Sequence, residues 1–285
     1  MGFGGHRPRR RFGQHWLVDP VVLDRIVAAA GLAPGDRVLE VGPGRGALTE
    51  RLLAAPIGEL VAVELDRDLV AGLRRRFGGD PRFQLIEGDA LEVPLVPWRA
   101  EASPPAADKV VANIPYNITG PLLERLIGRL DRPPDHPFAR LVLLVQRELG
   151  ERIRARPGSA AYGALSVRLQ MLCRCRAVCP VPPRCFAPPP KVMSEVILLE
   201  PRPASELPPA DLALPLERLL RRAFAARRKM LRNGLAGLVA AERLEALAAA
   251  AGVDLRQRPQ DLPPDRWLAL AEGLNRAVPP PHGDG

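Results

Sequence analysis

A glycine-rich run set between an apolar segment and a helix-like segment constrains this chain more than any other feature. Asp36 to Val41 is short and apolar, Ala47 to Leu53 restarts with helical spacing, and Gly42-Pro43-Gly44-Arg45-Gly46 joins them. A buried strand that passes at once into a helix through such a turn is the opening unit of a doubly wound α/β sheet. The glycines let the backbone turn tightly and approach a ligand, while the first turn of the helix presents unpaired N–H groups. The expectation is therefore an α/β, Rossmann-like sheet with a nucleotide-type ligand at the carboxyl ends of its strands.

The following segments extend the pattern. Leu60 to Val63 reads as a second strand ending in Glu64, and Phe83 to Ile86 as a third running into Glu87-Gly88-Asp89. Both carboxylates then stand at strand ends on one side of the sheet, where ligands of open α/β folds bind. The spacing G-x-G-x-G departs from the dinucleotide pattern G-x-G-x-x-G and points away from NAD toward S-adenosylmethionine (SAM). Val110 to Ala112, Leu141 to Gln146 and Val196 to Leu199 read as further buried strands, and helices fill the gaps between them.

The first of those further strands leads into Asn113-Ile114-Pro115-Tyr116, a set of groups suited to a flat nucleobase amine. The exocyclic N6 of adenine is a poor nucleophile because its lone pair is delocalised into the ring. If the Asn113 amide oxygen and the Pro115 carbonyl accept its two N–H bonds, the lone pair can be aimed at a sulfonium methyl. Positioning of that kind can supply roughly 7–11 kcal/mol, and no dedicated general base is needed. Tyr116 is expected to stack under the extruded base, with Phe186 as the other wall.

These segments belong to a longer ordered series. Gly13-Gln14-His15-Trp16-Leu17-Val18-Asp19-Pro20 precedes them, and Gln146-Arg147-Glu148, Pro157-Gly158, Tyr162-Gly163-Ala164-Leu165-Ser166-Val167 and Phe186-Ala187-Pro188-Pro189-Pro190-Lys191-Val192 follow. The series, spanning about Phe12 to Asn233, resembles the KsgA family of bacterial small-subunit rRNA adenine dimethyltransferases, kin to the Erm resistance methyltransferases. The resemblance implies SAM contacts at His15, Leu17, Gly42, Glu64, Asp89 and Asn113, with Gly44 in the same loop. Glu64 would accept from the ribose hydroxyls and Asp89 from the amino group of the cofactor adenine. His15 departs from the family's usual Asn, and Trp16 from its usual Phe. The implied activity is dimethylation of two adjacent adenosines in a hairpin loop near the 3′ end of 16S rRNA. The implied setting is the small ribosomal subunit or its precursor, during subunit biogenesis. The rivals are an Erm-type 23S rRNA methyltransferase and a catalytically idle RNA-binding assembly or transcription factor on the same fold.

Charge agrees with a polyanionic partner: the net charge is +9, carried almost entirely by arginine, since Lys109, Lys191 and Lys229 are the only lysines. Arg7, Arg9, Arg10 and Arg11 form an N-terminal arm over residues 1–12, open to reading as an RNA grip, a solvated tail or a transit peptide. Arg221, Arg222, Arg228 and Lys229 are the expected phosphate contacts in a C-terminal helical domain over 210–277, after a catalytic domain over 13–200. Helices are expected from Pro215 to near Asn233, across Ala240 to Ala251, and from Pro264 or Asp265 to Arg276. Val96 to Ala107 and Asp131 to Pro137 read as surface loops, and 278–285 as a disordered tail.

Cys173, Cys175, Cys179 and Cys185 are bunched, but their spacing is not that of a common zinc finger and prolines interrupt it, so no metal is expected. No signal peptide and no apolar stretch of 18 residues appears in the sequence, and the protein is expected to be a soluble cytoplasmic monomer without a membrane partner.

Overall fold

The computed structural model describes residues 15–95, 108–132, 134 and 138–277. The arginine arm, the loop over Val96 to Ala107, most of Pro133 to Pro137 and the tail over 278–285 therefore lie outside the described residues.

Among the described residues nine strands carry the fold: β1 (Trp16–Leu17), β2 (Arg37–Val41), β3 (Glu59–Glu64), β4 (Phe83–Glu87), β5 (Asp108–Asn113), β6 (Arg140–Gln146), β7 (Cys173–Val181), β8 (Phe186–Ala187) and β9 (Ser194–Pro201). Seven of them form one sheet in the order β4-β3-β2-β5-β6-β9-β7, while β1 and β8 pair separately as an antiparallel ribbon. The pairs from β4 through β6 are parallel, and β9 joins β6 antiparallel. The parallel strands read as unbroken apolar runs because both faces are buried: Val38, Leu39, Leu60, Val61, Val110, Val111 and Leu141 to Val145 are all fully buried. Chain order reverses between β2 and β5, which places a crevice at their carboxyl ends. At the opposite ends of the same two strands, Arg37 is held by both carboxylate oxygens of Asp108, and Lys109 pairs with Asp36. These cross-strand pairs stand across the β2–β5 register that the crevice depends on.

The helices are α1 (Pro20–Ala30), α2 (Ala47–Ala54), α3 (Arg67–Phe77), α4 (Thr119–Ile127), α5 (Arg147–Arg154), α6 (Ala164–Leu172), α7 (Ala210–Ala225), α8 (Leu231–Gly234), α9 (Ala241–Ala250) and α10 (Pro264–Ala277). Asp19 caps α1 by accepting from the Val22 N–H at 3.0 Å, and Pro20 opens the helix where its missing N–H costs nothing. Among the described residues no helix is long and apolar enough to cross a membrane.

The chain divides into two compact units. The sheet unit takes Met1–Gly128, Pro134–Gly150 and Cys175–Pro201; the helical unit takes Arg129–Pro133, Glu151–Arg174 and Arg202–Gly285. This corrects the contiguous boundary near residue 200. Tyr162 and Val167 pack into one apolar cluster with Leu216, Leu231, Trp267 and Leu270, and the Tyr162 hydroxyl donates to the Leu262 carbonyl at 2.9 Å. The segment around α6 thus shares a core with residues a hundred positions downstream.

One further expectation is corrected. The helix read from Pro215 begins five residues earlier, at Ala210, with Pro215 inside its early turns, and it ends at Ala225 rather than near Asn233. Leu231 then starts a separate short turn, its N–H donating to the Gln257 carbonyl. Cys173, Cys175 and Cys179 of the cysteine-rich stretch lie on β7, a strand at the sheet edge, where Pro180 is tolerated because an edge strand leaves one side unpaired.

Candidate active site

Each acidic and amide side chain of the site is set by the end of a strand. β2 delivers the glycine turn, in which Gly42, Gly44 and Gly46 all have positive φ. A Cβ at Gly44 would lie 2.8 Å from the Trp16 ring, so only glycine fits that approach without a shift. β3 ends in Glu64, β4 leads to Asp89, and β5 ends in Asn113. A cleft of about 320 Å³ lies along these ends, lined by His15, Trp16, Gly42, Gly44, Glu64, Leu65, Asp89, Asn113, Ile114, Pro115 and Tyr116 among others. Small-molecule sites are concave, mostly apolar and carry a few convergent polar groups, as here.

The polar groups are held by main chain. Glu64 is 7% exposed and accepts from the Gly44 N–H at 3.0 Å and the Asp66 N–H at 2.9 Å. Burial raises its pKa above the usual carboxylate range, and these two bonds act in the opposite direction. Each carboxylate oxygen retains acceptor capacity for a second donor, such as a ribose hydroxyl. Asp89 accepts from the Leu91 N–H at 2.8 Å, and its loop is tied down by Arg125, which donates to the Ala90 and Val93 carbonyls. Behind the glycine turn, Glu40 is buried and bonded by the Thr49 hydroxyl at 2.7 Å; burial pushes its pKa up to about 8.

The Asn113 amide N–H donates to the His15 carbonyl at 3.2 Å. That bond decides which way the amide faces, with its oxygen left to accept. The Tyr116 hydroxyl is 2.6 Å from the Ser194 hydroxyl, and burial raises its pKa. Sequence reasoning did not find Ser194, because a single serine far along the chain carries no local signal.

The structure corrects two residue assignments. The Pro115 carbonyl already accepts from the Ile118 N–H at 3.1 Å and the Thr119 hydroxyl at 3.2 Å, so both of its lone pairs are engaged. The Ile114 carbonyl has no hydrogen bond among the described residues, and Ile114 lines the cleft. Phe186 is 4% exposed, pairs with Leu17 between β8 and β1, and packs in the sheet-unit core rather than lining the cleft. The Leu17 side chain is 4% exposed in that same core, and its neighbour Trp16 lines the cleft, with the Arg45 guanidinium 4.0 Å over its ring.

The expected phosphate contacts belong to the helical unit. Arg221 and Arg222 lie on α7, and Arg228 and Lys229 in the turn before α8, all exposed. Arg222 donates to the Ala236 carbonyl, while the side chains of Arg221, Arg228 and Lys229 make no hydrogen bond or ion pair among the described residues. The described residues contain no group of three or more His, Cys, Asp or Glu that could hold a metal ion.

Comparison with known proteins places this geometry in context. The family model described as ribosomal RNA adenine dimethylase matches residues 5–276. The ribosomal RNA small subunit methyltransferase A of Parasynechococcus marenigrum (strain WH8102) is 65% identical over 285 residues, covering 100% of this chain and 93% of the relative. The protein of that name from Prochlorococcus marinus (strain MIT 9303) is 63% identical over 278 residues, covering 97% and 98%. Among solved structures, a dimethyladenosine transferase from Plasmodium falciparum superposes with a TM-score of 0.73 at 27% identity, covering 92% of this chain and 98% of that one. The 23S rRNA methyltransferase ErmE gives 0.70 at 28% identity, covering 91% and 99%.

Proposed function

The chain belongs to the ribosomal RNA adenine dimethylase family, and from that premise we propose that it dimethylates N6 of two adjacent adenosines in the hairpin loop near the 3′ end of 16S rRNA. It is a SAM-dependent methyltransferase, and the small ribosomal subunit or its precursor is the substrate. The relatives named for the small subunit are 60–66% identical across this chain, whereas ErmE is 28% identical, which favours the small-subunit target over the Erm-type one. In this reading the protein works as a cytoplasmic monomer during subunit biogenesis.

One observation carries the chemistry: the Asn113 amide is turned by the His15 carbonyl so that its oxygen is the acceptor in the cleft. The glycine turn, Glu64 and Asp89 open onto the same cleft and suit a nucleoside-type methyl donor. SAM supplies the electrophilic methyl. Asn113 accepts one N6–H and the free Ile114 carbonyl the other, which draws N6 toward pyramidal geometry with its lone pair available for attack. The N6–CH3 bond forms as the S–CH3 bond breaks; S-adenosylhomocysteine departs, and the cationic nitrogen loses its proton to water. After the first transfer one N–H remains for either acceptor, so a second round can follow. The doubly methylated amine has no N–H, loses both anchoring bonds and is released.

Tritiated methyl transfer to immature small subunits, large subunits and naked rRNA in parallel tests this. Label confined to small-subunit rRNA supports the reading; label on 23S rRNA assigns the Erm-type activity; SAM binding without transfer indicates an idle scaffold.

A further inference from the structure

A ring used only for stacking has no need of a hydroxyl, yet the residue that closes the Asn-Ile-Pro-Tyr segment is a tyrosine. Its ring lines the cleft, while its hydroxyl reaches 2.6 Å from the hydroxyl of Ser194, which is fully buried. A phenol drawn out of water costs free energy unless its O–H is paired, and here the two hydroxyls satisfy each other. Burial raises the Tyr116 pKa, so the phenol stays neutral. Ser194 is itself fixed by the sheet: it opens β9 opposite Gln146 of β6, and the carbonyl of the preceding Met193 accepts from the Arg147 N–H at 3.0 Å. Tyr116 follows β5, so the bond joins the exit of β5 to the first residue of a strand two places away in the sheet order. At the other end of the side chain, the Tyr116 carbonyl accepts from the Thr119 hydroxyl at 3.3 Å. The ring is therefore held at its root and at its tip.

We propose that Ser194 is the positioning residue of the base platform: its hydroxyl holds the tip of Tyr116 so that the ring presents one fixed face to the adenine whose N6 meets Asn113. This rests on the adenine-N6 reading above, with Tyr116 as the stacking surface. A tyrosine side chain turns about two torsions, and a ring anchored at both ends cannot swing without breaking the hydroxyl bond. The acceptor is set independently, by the His15 carbonyl on the Asn113 amide. Platform and acceptor must agree, because the base has to stack about 3.5 Å from the ring while N6 lies about 3 Å from the Asn113 oxygen. A ring that tilts carries N6 off the line to the methyl group, and a displacement of about 1 Å can cost about 100-fold in rate. Ser194 thus acts through Tyr116 and touches neither the base nor the methyl donor.

A double-mutant cycle in the full-length enzyme tests the assignment, with Ser194→Ala, Tyr116→Phe and the double variant. Two readouts are taken: single-turnover methyl transfer to immature small subunits at saturating SAM, and fluorescence of a hairpin RNA with 2-aminopurine at the target position, which is quenched on stacking. Each single variant should lose roughly tenfold in transfer and leave the bound probe brighter, since either change breaks the same bond. The double variant should fall no more than about twofold below either single one. SAM affinity should stay within about twofold of wild type in all three, and RNA affinity likewise, because the stacking face remains. Losses that multiply in the double variant would show that Ser194 does not act through Tyr116 and would overturn the proposal. Wild-type transfer and quenching in Ser194→Ala would overturn it as well. Should Ser194→Ala fail to fold, Tyr116→Phe alone decides, since it breaks the bond with Ser194 in place: a loss of roughly tenfold supports the tether, and wild-type transfer overturns it. Failure of the underlying platform reading looks different, for then Tyr116→Ala, which removes the ring, would quench the probe and transfer methyl groups as the wild type does.

Discussion

The cleft of the sheet unit and the cationic surface of the helical unit hold their functional groups in opposite ways. In the cleft, Glu64, Asp89 and Asn113 are buried or half-buried, and main-chain groups already fix them. On the helical unit, Arg221, Arg228 and Lys229 are exposed and their side chains have no partner among the described residues. Fixed groups in a low-dielectric cleft act through geometry, where removing one acceptor misaligns the whole reaction. Exposed cations act through summed charge, where each contributes a small, salt-sensitive increment. Damage should therefore be abrupt in one region and graded in the other.

Asn113→Ala is the harshest test of that contrast. Removing the oriented acceptor should lower single-turnover methyl transfer by about 100-fold or more. A reduction no larger than that of Arg228→Ala would erase the distinction between the regions.

Burial gives the second test. Glu40 has a pKa raised by desolvation to about 8, so its protonated form stabilises the fold. That contribution is fully present below the ordinary carboxylate pKa and is lost as pH rises through about 8. Stability should fall by on the order of 2 kcal/mol from pH 6 to 8, and Glu40→Gln should flatten the decline in denaturant titrations. Glu206 in the helical unit runs the other way: Arg174 and Arg202 lower its pKa, so its contribution is present above the ordinary value and fades only as pH falls below it. A decline of equal steepness in Glu40→Gln would mean that Glu40 is not its source.

The glycine turn sharpens the account at a smaller scale. Gly42 has φ +70°, and a Cβ there would meet Pro115 Cδ at 3.4 Å. Gly42→Val should weaken SAM binding by roughly tenfold through backbone strain and crowding, with the fold retained. Calorimetry showing unaltered SAM affinity in a folded variant would remove the loop from the cofactor site.

On the charged face, Arg228→Ala with Lys229→Ala should reduce the slope of log RNA affinity against log salt by about 0.7 for each phosphate that these side chains neutralise. SAM affinity should not change. An unaltered slope would mean that these cations only solvate the surface.

The same contrast governs what could be read from the sequence. The glycine turn, Glu64, Asp89 and the Asn113 to Tyr116 segment were legible because strand-end position and local spacing determine where they go. The acceptor assigned to Pro115 was not, since the carbonyl of a residue that opens a helical turn is claimed by Ile118 and Thr119, and only the folded backbone reveals that. Phe186 resembled a slot wall by its place beside a proline run, yet antiparallel pairing with Leu17 turns it into the core. The unit boundary failed for a related reason: the segment 151–174 finds its apolar partners in α7 and α10, far downstream in sequence.

Nucleoside mass spectrometry of small-subunit rRNA, after reaction with excess SAM on immature particles, tests the central claim most directly. The expected result is N6,N6-dimethyladenosine at two adjacent positions in the 3′ hairpin loop, abolished in Asn113→Ala. Accumulation of monomethyladenosine alone, or methylation confined to large-subunit rRNA, would contradict it.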